Sequence, residues 1–370
     1  MDEKFEIEPE DAELETATFQ EAARRSQAVW EDLPRNPAKY RVLTGERPTG
    51  PLHIGHLFGT VGNRVRIQNL GATTFIVIAD YQVLTDRDTA EAVGDNVREV
   101  IVDYLASGLD PENGRTFFFS HSHVPELNQL FLPFLSLVTT AELDRNPTVK
   151  EEIRAAGLRQ VNALMYTYPI HQAADILFCK GNVVPVGRDQ LPHLELTRKI
   201  ARRFNERFSP NAPVFPVPDA LLSDLPLVLG TDGQKMSKSR GNAILLKMTA
   251  EETARAIKGA KTDADRRITY DPQRRPEVAN LLRLVGICTG ESPEAVAERI
   301  GDGGGGKLKA VLTEALNENL APLRERRARY AGDPAYVLDV LRRGVARARE
   351  EGIRTLAEVR RAMNMDHGLD

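Results

Sequence analysis

Cysteine is almost absent: Cys179 and Cys288 are the two in 370 residues, far apart and with no Cys-x-x-Cys pair. That argues against a disulfide framework, a zinc site or an iron–sulfur cluster, and fits a reducing, cytoplasmic setting. No apolar run approaches the roughly 18 residues that a membrane span needs. The first residues are acidic rather than basic and apolar, which argues against a secretory leader. A strong charge of one sign is lacking too, since 49 Lys and Arg face 53 Asp and Glu, a formal net of −4. The balance is uneven, however. Residues 1–37 hold 11 acidic and 4 basic side chains, a net of −7, which leaves 45 basic against 42 acidic, a net of +3, in the rest. A mildly basic body permits a nucleic-acid partner without requiring one.

What is present is an ordinary globular composition, 41% hydrophobic and 28% charged, on a chain long enough for two domains. Residues 1–37, closed by Pro34 and Pro37, have the composition of a solvated, partly disordered tail. The alternative is an arm that docks a protein partner, with a short helix over residues 17–30 anchored by Phe19 and Trp30. From Tyr40 onward strand and helix alternate. Residues 41–44 read as a strand, 54–69 as a helix ended by Gly71, and 73–80 as the continuous apolar run of a buried parallel strand. An amphipathic helix over residues 90–108 and a strand over 116–119 complete a βαβαβ order. The pattern predicts an α/β fold, a Rossmann-type doubly wound parallel sheet with ligand at the carboxyl ends of its strands.

Further on, residues 126–140 and 149–164 read as helices, 182–186 as a strand and 193–207 as a basic helix. A Pro-rich loop over 210–226 and a Gly- and Lys-rich loop over 230–241 follow. Beyond about residue 247 strand signals stop, and helices are expected over 249–259, 276–286, 293–300, 307–330, 334–351 and 355–363. The division is therefore an α/β domain over residues 38–247 and an all-helical domain over 248–370. The run from Gly301 to Lys307 nearly matches a phosphate-binding loop. Leu308 stands where that loop has a hydroxyl, and the preceding segment is helical rather than a strand, so it reads as an interhelix turn.

Two motifs carry chemistry. Thr-Gly-Glu-Arg-Pro-Thr-Gly-Pro-Leu-His-Ile-Gly-His, residues 44–56, joins the first strand to a helix start, where backbone N–H groups and the helix dipole can meet phosphate. Its His53 and His56 also suit a metal pair, but no third ligand stands out nearby. Lys-Met-Ser-Lys-Ser, residues 235–239, lies between Gly233 and Gly241. Alone it reads as a solvated basic loop. In this order on an α/β sheet, the two motifs resemble those of class I aminoacyl-tRNA synthetases.

The resemblance to the tryptophanyl and tyrosyl branch runs from about residue 41 to 363. It implies an adenylate-forming ligase using ATP with magnesium carried on the ATP phosphates. His53, His56, Lys235, Lys238 and Lys150 would act on those phosphates. Arg47, Pro48, Thr49 and Gly55 would line ATP from the first motif. Gly187, Arg188, Asp189 and Val228 would line it from the sheet, and Met236, Ser237 and Ser239 from the loop. For the amino acid, Tyr168, Gln172 and Asp175 have helical spacing. Tyr168, Gln172 and Gln190 would hold the α-amino group, and Leu43, Val184 and Val186 would form apolar walls beside Gly45. An indole offers one donor and no acceptor, which suits the lone acceptor Asp175. Leu43 stands where tyrosyl enzymes carry a tyrosine, which favours tryptophan. Gln172 and Gln82 depart from the common bacterial tryptophanyl pocket and make this one more polar. Gln172 is a tyrosyl-like feature, so a tyrosine ligase stays as the alternative, and a synthetase-like tryptophan-binding adaptor as another. The resemblance also implies a homodimer, with an inserted helical segment over about residues 120–180. The stretch 127–137 is the candidate interface. Residues 321–361, with 11 arginines against 6 acids, are the candidate surface for the tRNA for tryptophan.

Overall fold

The computed structural model describes residues 9–86, 90–155, 161–222 and 228–369. Five parallel strands carry the fold: β1 Arg41–Glu46, β2 Thr73–Ile78, β3 Thr116–Ser120, β4 Val183–Val186 and β5 Asp219–Leu222. Their order in the sheet is β3-β2-β1-β4-β5. The direction of winding reverses between β1 and β4, and doubly wound sheets open a ligand crevice at such a point. β2 and β3 are sealed on both faces: Phe75, Ile76, Ile78, Phe118 and Phe119 are fully buried.

Helices flank the sheet. Among the described residues the catalytic half holds α1 Pro9–Asp32, α2 Ile54–His56, α3 Gly62–Leu70, α4 Val93–Ala106, α5 Pro125–Leu135, α6 Thr140–Asp144, α7 Pro147–Ala155, α8 Ala163–Leu177 and α9 Leu191–Phe208. A π turn, Leu57–Val61, joins α2 to α3. The remainder is helical, as expected: α10 Ala250–Lys258, α11 Pro276–Thr289, α12 Pro293–Ile300, α13 Gly304–Ala331 and α14 Pro334–Ala362. Side-chain caps set several starts. Asn162 accepts from Met165 N at 2.8 Å to open α8, and Thr249 with Glu252 forms a reciprocal box at α10. No described helix is long and apolar enough to cross a membrane.

The helical half folds back on the sheet. One hydrophobic cluster joins Val100, Ile101 and Tyr104 of α4 to Leu282 of α11 and Leu312 and Leu316 of α13. α14 lies directly on β3. A Cβ built at Gly344 would stand 1.9 Å from the Phe118 carbonyl oxygen, and one at Gly352 would stand 2.8 Å from Glu126 Cβ. These glycines permit close approach. That is why α14 runs unbroken through Gly352, where two helices were expected.

Three other expectations change. β5 lies inside the stretch read as a Pro-rich loop. A four-residue edge strand beginning at Asp219 shows almost no apolar run. The helix expected over 149–164 is two: α7 ends at Ala155 and α8 begins at Ala163, and residues 156–160 lie outside the described ones. The N-terminal segment is helical from Pro9 and is docked from Phe19 onward rather than a solvated tail. α1 packs Ala22, Ser26 and Val29 inward, Leu33 just beyond its end is also buried, and Trp30 Nε1 donates to Leu222 O at 3.3 Å. The surface it docks on is this chain's own β5. The run 301–306 is an interhelix turn, a 3-10 turn Gly301–Gly303 that leads straight into α13.

Candidate active site

β1 ends at Glu46, and the chain then turns through Pro48, Gly50 and Leu52 to His53, which precedes α2. The turn hangs on three hydrogen bonds. Ile54 N donates to Ile244 O at 3.0 Å, Leu246 N to Leu52 O at 2.9 Å, and Leu52 N to Asp103 Oδ2 at 2.6 Å. Asp103, on α4, is fully buried. Burial pushes its carboxyl above the ordinary carboxylate range, and Arg327 of α13 opposes that. Arg327 Nε donates to Asp103 Oδ1 at 2.8 Å. Breaking such a pair strands a buried charge at about 3–5 kcal/mol. Arg327→Met is therefore expected to lower unfolding stability by that order in denaturant melts. A change under about 1 kcal/mol would contradict the role given to the pair.

Beneath the turn sits Glu46. It accepts from Arg64 Nη2 at 3.0 Å and Thr60 Oγ1 at 3.3 Å. Burial alone would raise its carboxyl, but Arg64 and His56 outweigh burial and hold it below its ordinary value. Arg64, itself buried, also donates to Gly45 O and to Tyr104 Oη. His53 N donates to His56 Nδ1 at 3.2 Å, so the His56 proton sits on Nε2, 3.9 Å from Glu46. The two rings lie 3.7 Å apart, and His53 Nδ1 is buried with no hydrogen-bond partner among the described residues. Burial pulls His53 down to about 3 and His56 below its usual value. Both imidazoles are neutral N–H donors at pH 7.

That neutrality has a stability consequence. Burial also pulls His193 to about 4. Between pH 6.5 and about 4 the unfolded chain carries protons at His53 and His193 that the folded chain does not. Stability should be full above pH 6.5 and fall as pH drops through that window. Denaturant melts at pH 7.5, 6 and 5 check this, and a flat profile would contradict it.

The Lys-Met-Ser-Lys-Ser loop meets the turn. Lys238 Nζ donates to Gly50 O at 3.0 Å. Met236 is buried, with Sδ 3.5 Å from where a Cβ on Gly55 would stand. Asn242 braces the loop: Oδ1 accepts from Ser237 N at 2.8 Å, and Nδ2 donates to Asp232 Oδ1 at 2.7 Å and Lys235 O at 3.2 Å. Lys235 is exposed, and the Ser239 side chain lies outside the described ones. Val228 is buried just ahead, where Asn280 Oδ1 accepts from Leu229 N.

On α8, Tyr168 and Asp175 are buried and Gln172 is half-buried. His121, on the turn after β3, brings Nε2 to 2.9 Å from Asp175 Oδ1. Gln82 Nε2 lies 2.8 Å from His171 Nδ1, and His171 Nε2 lies 2.7 Å from Asn128 Oδ1. Asn146 Nδ2 donates to His193 Nδ1 at 3.1 Å, which leaves the imidazole proton on Nε2 to face the Tyr168 hydroxyl at 2.8 Å. The phenol proton then serves Glu152 of α7, and burial with that carboxylate drives the Tyr168 hydroxyl far above its usual range. His121, His171 and Asp175 place donor atoms within 4.8 Å of one another. Both nitrogens of His171 are already engaged, and a nitrogen-rich set suits magnesium poorly.

Residues 35–321 match the family model of class I tRNA synthetases for tryptophan and tyrosine. The chain belongs to the class I aminoacyl-tRNA synthetases. The tryptophan–tRNA ligase of Treponema pallidum is 41% identical over 334 residues, 88% of this chain and 97% of that protein. That of Clostridium longisporum is 40% identical over 340 residues, 89% and 98%. Among solved structures, the tryptophanyl-tRNA synthetase of Campylobacter jejuni, complexed with ADP and tryptophan, superposes with a TM-score of 0.75. It is 28% identical and is covered over 99% of its chain, against 88% of this one. The tyrosyl-tRNA synthetase of Archaeoglobus fulgidus, at 22% identity and a TM-score of 0.60, shares the fold.

In this synthetase the signature turn and the lysine loop come together, while other expected residues sit further out. Arg47 donates to Thr85 Oγ1 at 3.0 Å and pairs with Asp86 at 3.1 Å, and Thr49 N donates to Arg47 O. Pro48 is buried. Gly187, Arg188 and Asp189 form an exposed turn after β4, tied to α7 by Thr148 Oγ1 donating to Asp189 O at 2.8 Å. Gln190 Nε2 donates to Asp189 Oδ2 at 3.2 Å, and Lys150 projects from the exposed side of α7. Leu43, Val184 and Val186 are buried in a core cluster with Ile170 and Ala174. Gly45 answers to the sheet, since a Cβ there would stand 2.2 Å from Val77 O.

Sequence reasoning passed over Glu46, Asp103, His121 and Asn242. Glu46 stands inside the quoted turn motif, and His121 within three residues of β3's end. Both positions were cues. Asp103 looks like one more polar residue on an amphipathic helix, and only the fold reveals its burial.

Proposed function

We propose that this enzyme is a tryptophan–tRNA ligase. The observation that carries the reading is Asp175, a buried carboxylate approached by His121, while β1 offers Leu43 and no phenol at the same end of the sheet. A lone acceptor matches an indole N–H, whereas a phenol would also want a donor. The curated relatives named above carry the same activity in their names.

In the first step the tryptophan carboxylate attacks the α-phosphorus of ATP, and pyrophosphate leaves. His53 and His56 donate N–H to phosphate oxygens, and Glu46 holds the His56 ring in place. Lys235 and Lys238 offset the charge that grows on the leaving β- and γ-phosphates. Gly187, Arg188 and Asp189 flank the nucleotide from β4. Tyr168, Gln172 and Gln190 receive the ammonium group, the Tyr168 oxygen oriented by His193. Magnesium carried by ATP would add charge neutralisation at those phosphates. In the second step a terminal ribose hydroxyl of the tRNA attacks the acyl carbonyl and AMP leaves. Exposed arginines of α13 and α14, among them Arg329, Arg342, Arg354 and Arg361, offer phosphate contacts for that tRNA, whereas Arg324, Arg326 and Arg327 are engaged within the chain. A homodimer through α5 accords with Leu132, which is 71% exposed on that helix.

Aminoacylation of bulk tRNA with labelled tryptophan tests the reading. ATP-dependent transfer of label to tRNA is expected, and its absence from active, folded protein would overturn it.

A further inference from the structure

α1 stands outside the part of the chain that the family shares. The family match begins at residue 35, after α1 has ended. The T. pallidum and C. longisporum relatives are covered over 97% and 98% of their own length, yet reach only 88% and 89% of this chain.

The helix is built onto the sheet edge rather than laid beside it. β5 is the outermost strand, and its Leu222 presents both backbone groups to α1. Leu222 N donates to Ser26 Oγ at 2.9 Å, and Leu222 O accepts from Trp30 Nε1 at 3.3 Å. Side chains thus satisfy an edge that would otherwise offer unpaired groups. Arg25 adds ion pairs to Asp219 at 3.0 Å and to Glu195 of α9 at 3.4 Å. Trp30 stacks under Arg66 of α3, with the guanidinium carbon 4.2 Å from the ring centroid.

The upstream end of this clamp reaches the nucleotide side. Phe19, half-buried against the core cluster that holds Ala22, Val184 and Val186, places its ring 4.7 Å from the Arg188 guanidinium carbon. Arg188 lies in the exposed turn after β4, with its guanidinium over that ring.

We infer that α1 is a positioning element for the nucleotide turn, with Phe19 fixing the guanidinium of Arg188 for ATP. The inference rests on the reading of Gly187, Arg188 and Asp189 as ATP-lining. A long, solvated arginine side chain loses rotamer freedom when it must meet a phosphate. A ring that already stacks on it meets part of that cost before ATP arrives. The effect is expected on ATP, because the side chain that Phe19 stacks on, Arg188, belongs to the nucleotide turn.

Pyrophosphate exchange on the full chain separates the outcomes. Phe19→Ala should raise KM for ATP by about three- to fivefold, the size of one exposed cation–π contact, with KM for tryptophan nearly unchanged in protein that remains folded. Phe19→Leu, which keeps apolar packing without a π face, should behave like Phe19→Ala, and Phe19→Trp should restore KM. In an Arg188→Ala background Phe19→Ala should add nothing. If Arg188→Ala alone raises KM for ATP but Phe19→Ala does not, or if Phe19→Leu restores it, the positioning role falls and the turn assignment stands. If Arg188→Ala leaves KM for ATP unchanged, the turn assignment fails and takes this inference with it.

Discussion

Lys235→Ala and Lys238→Ala should each slow tryptophanyl-adenylate formation by about a hundredfold, the scale of one lost transition-state charge contact. KM for tryptophan should hold within about twofold, because neither lysine reaches the Asp175 cluster. The loop already leans on the signature turn through Lys238 and Gly50, and through Met236 beside Gly55. Asn242, holding Ser237, Asp232 and Lys235 at once, braces the loop that carries both lysines. Lys235 differs from Lys238 in being exposed. Its contribution should arise only as charge builds on pyrophosphate, and so appear in kcat more than in KM for ATP. Pre-steady-state adenylate formation reads both values. Unchanged activation by both variants would refute the role given to the loop.

Asp175→Ala should lower kcat/KM for tryptophan by about a hundredfold or more. It removes the carboxylate proposed to accept the indole N–H, and with it the acidic neighbour 2.9 Å from the buried His121 Nε2. KM for ATP should stay within about twofold, since the turn at His53 and the lysine loop do not touch Asp175. His121→Ala should give a smaller loss in the same direction, because the carboxylate would remain but lose the partner that orients it. Pyrophosphate exchange with each substrate varied in turn separates the two. An Asp175→Ala enzyme with normal tryptophan kinetics would show that indole is recognised elsewhere.

The fold was legible where each segment's pattern had one reading. The buried runs of β2 and β3 could be strands only, and the loss of strand signals beyond residue 247 could only mean helices. Legibility failed where long-range packing decides. β5 is a strand because β4 pairs with it and α1 caps its edge, and neither fact is local to residues 219–222. α1 looked like a tail because acidic residues dominate its composition, while Ala22, Ser26 and Val29 face inward and dock it. Gly352 looked like a helix end because its close approach to Glu126 is invisible in sequence. The site divides the same way. His53, His56, Lys235 and Lys238 sit in contiguous motifs and could be read. Asp103, Glu46 and His121 act through partners 51, 18 and 54 residues away: Leu52, Arg64 and Asp175. No spacing rule connects those pairs.

ATP–pyrophosphate exchange with tryptophan and tyrosine in parallel decides which amino acid this site activates. Strong exchange is expected with tryptophan and little with tyrosine, because Asp175 offers an acceptor and Leu43 offers no partner for a phenol. Exchange with tyrosine equal to or above that with tryptophan would contradict it.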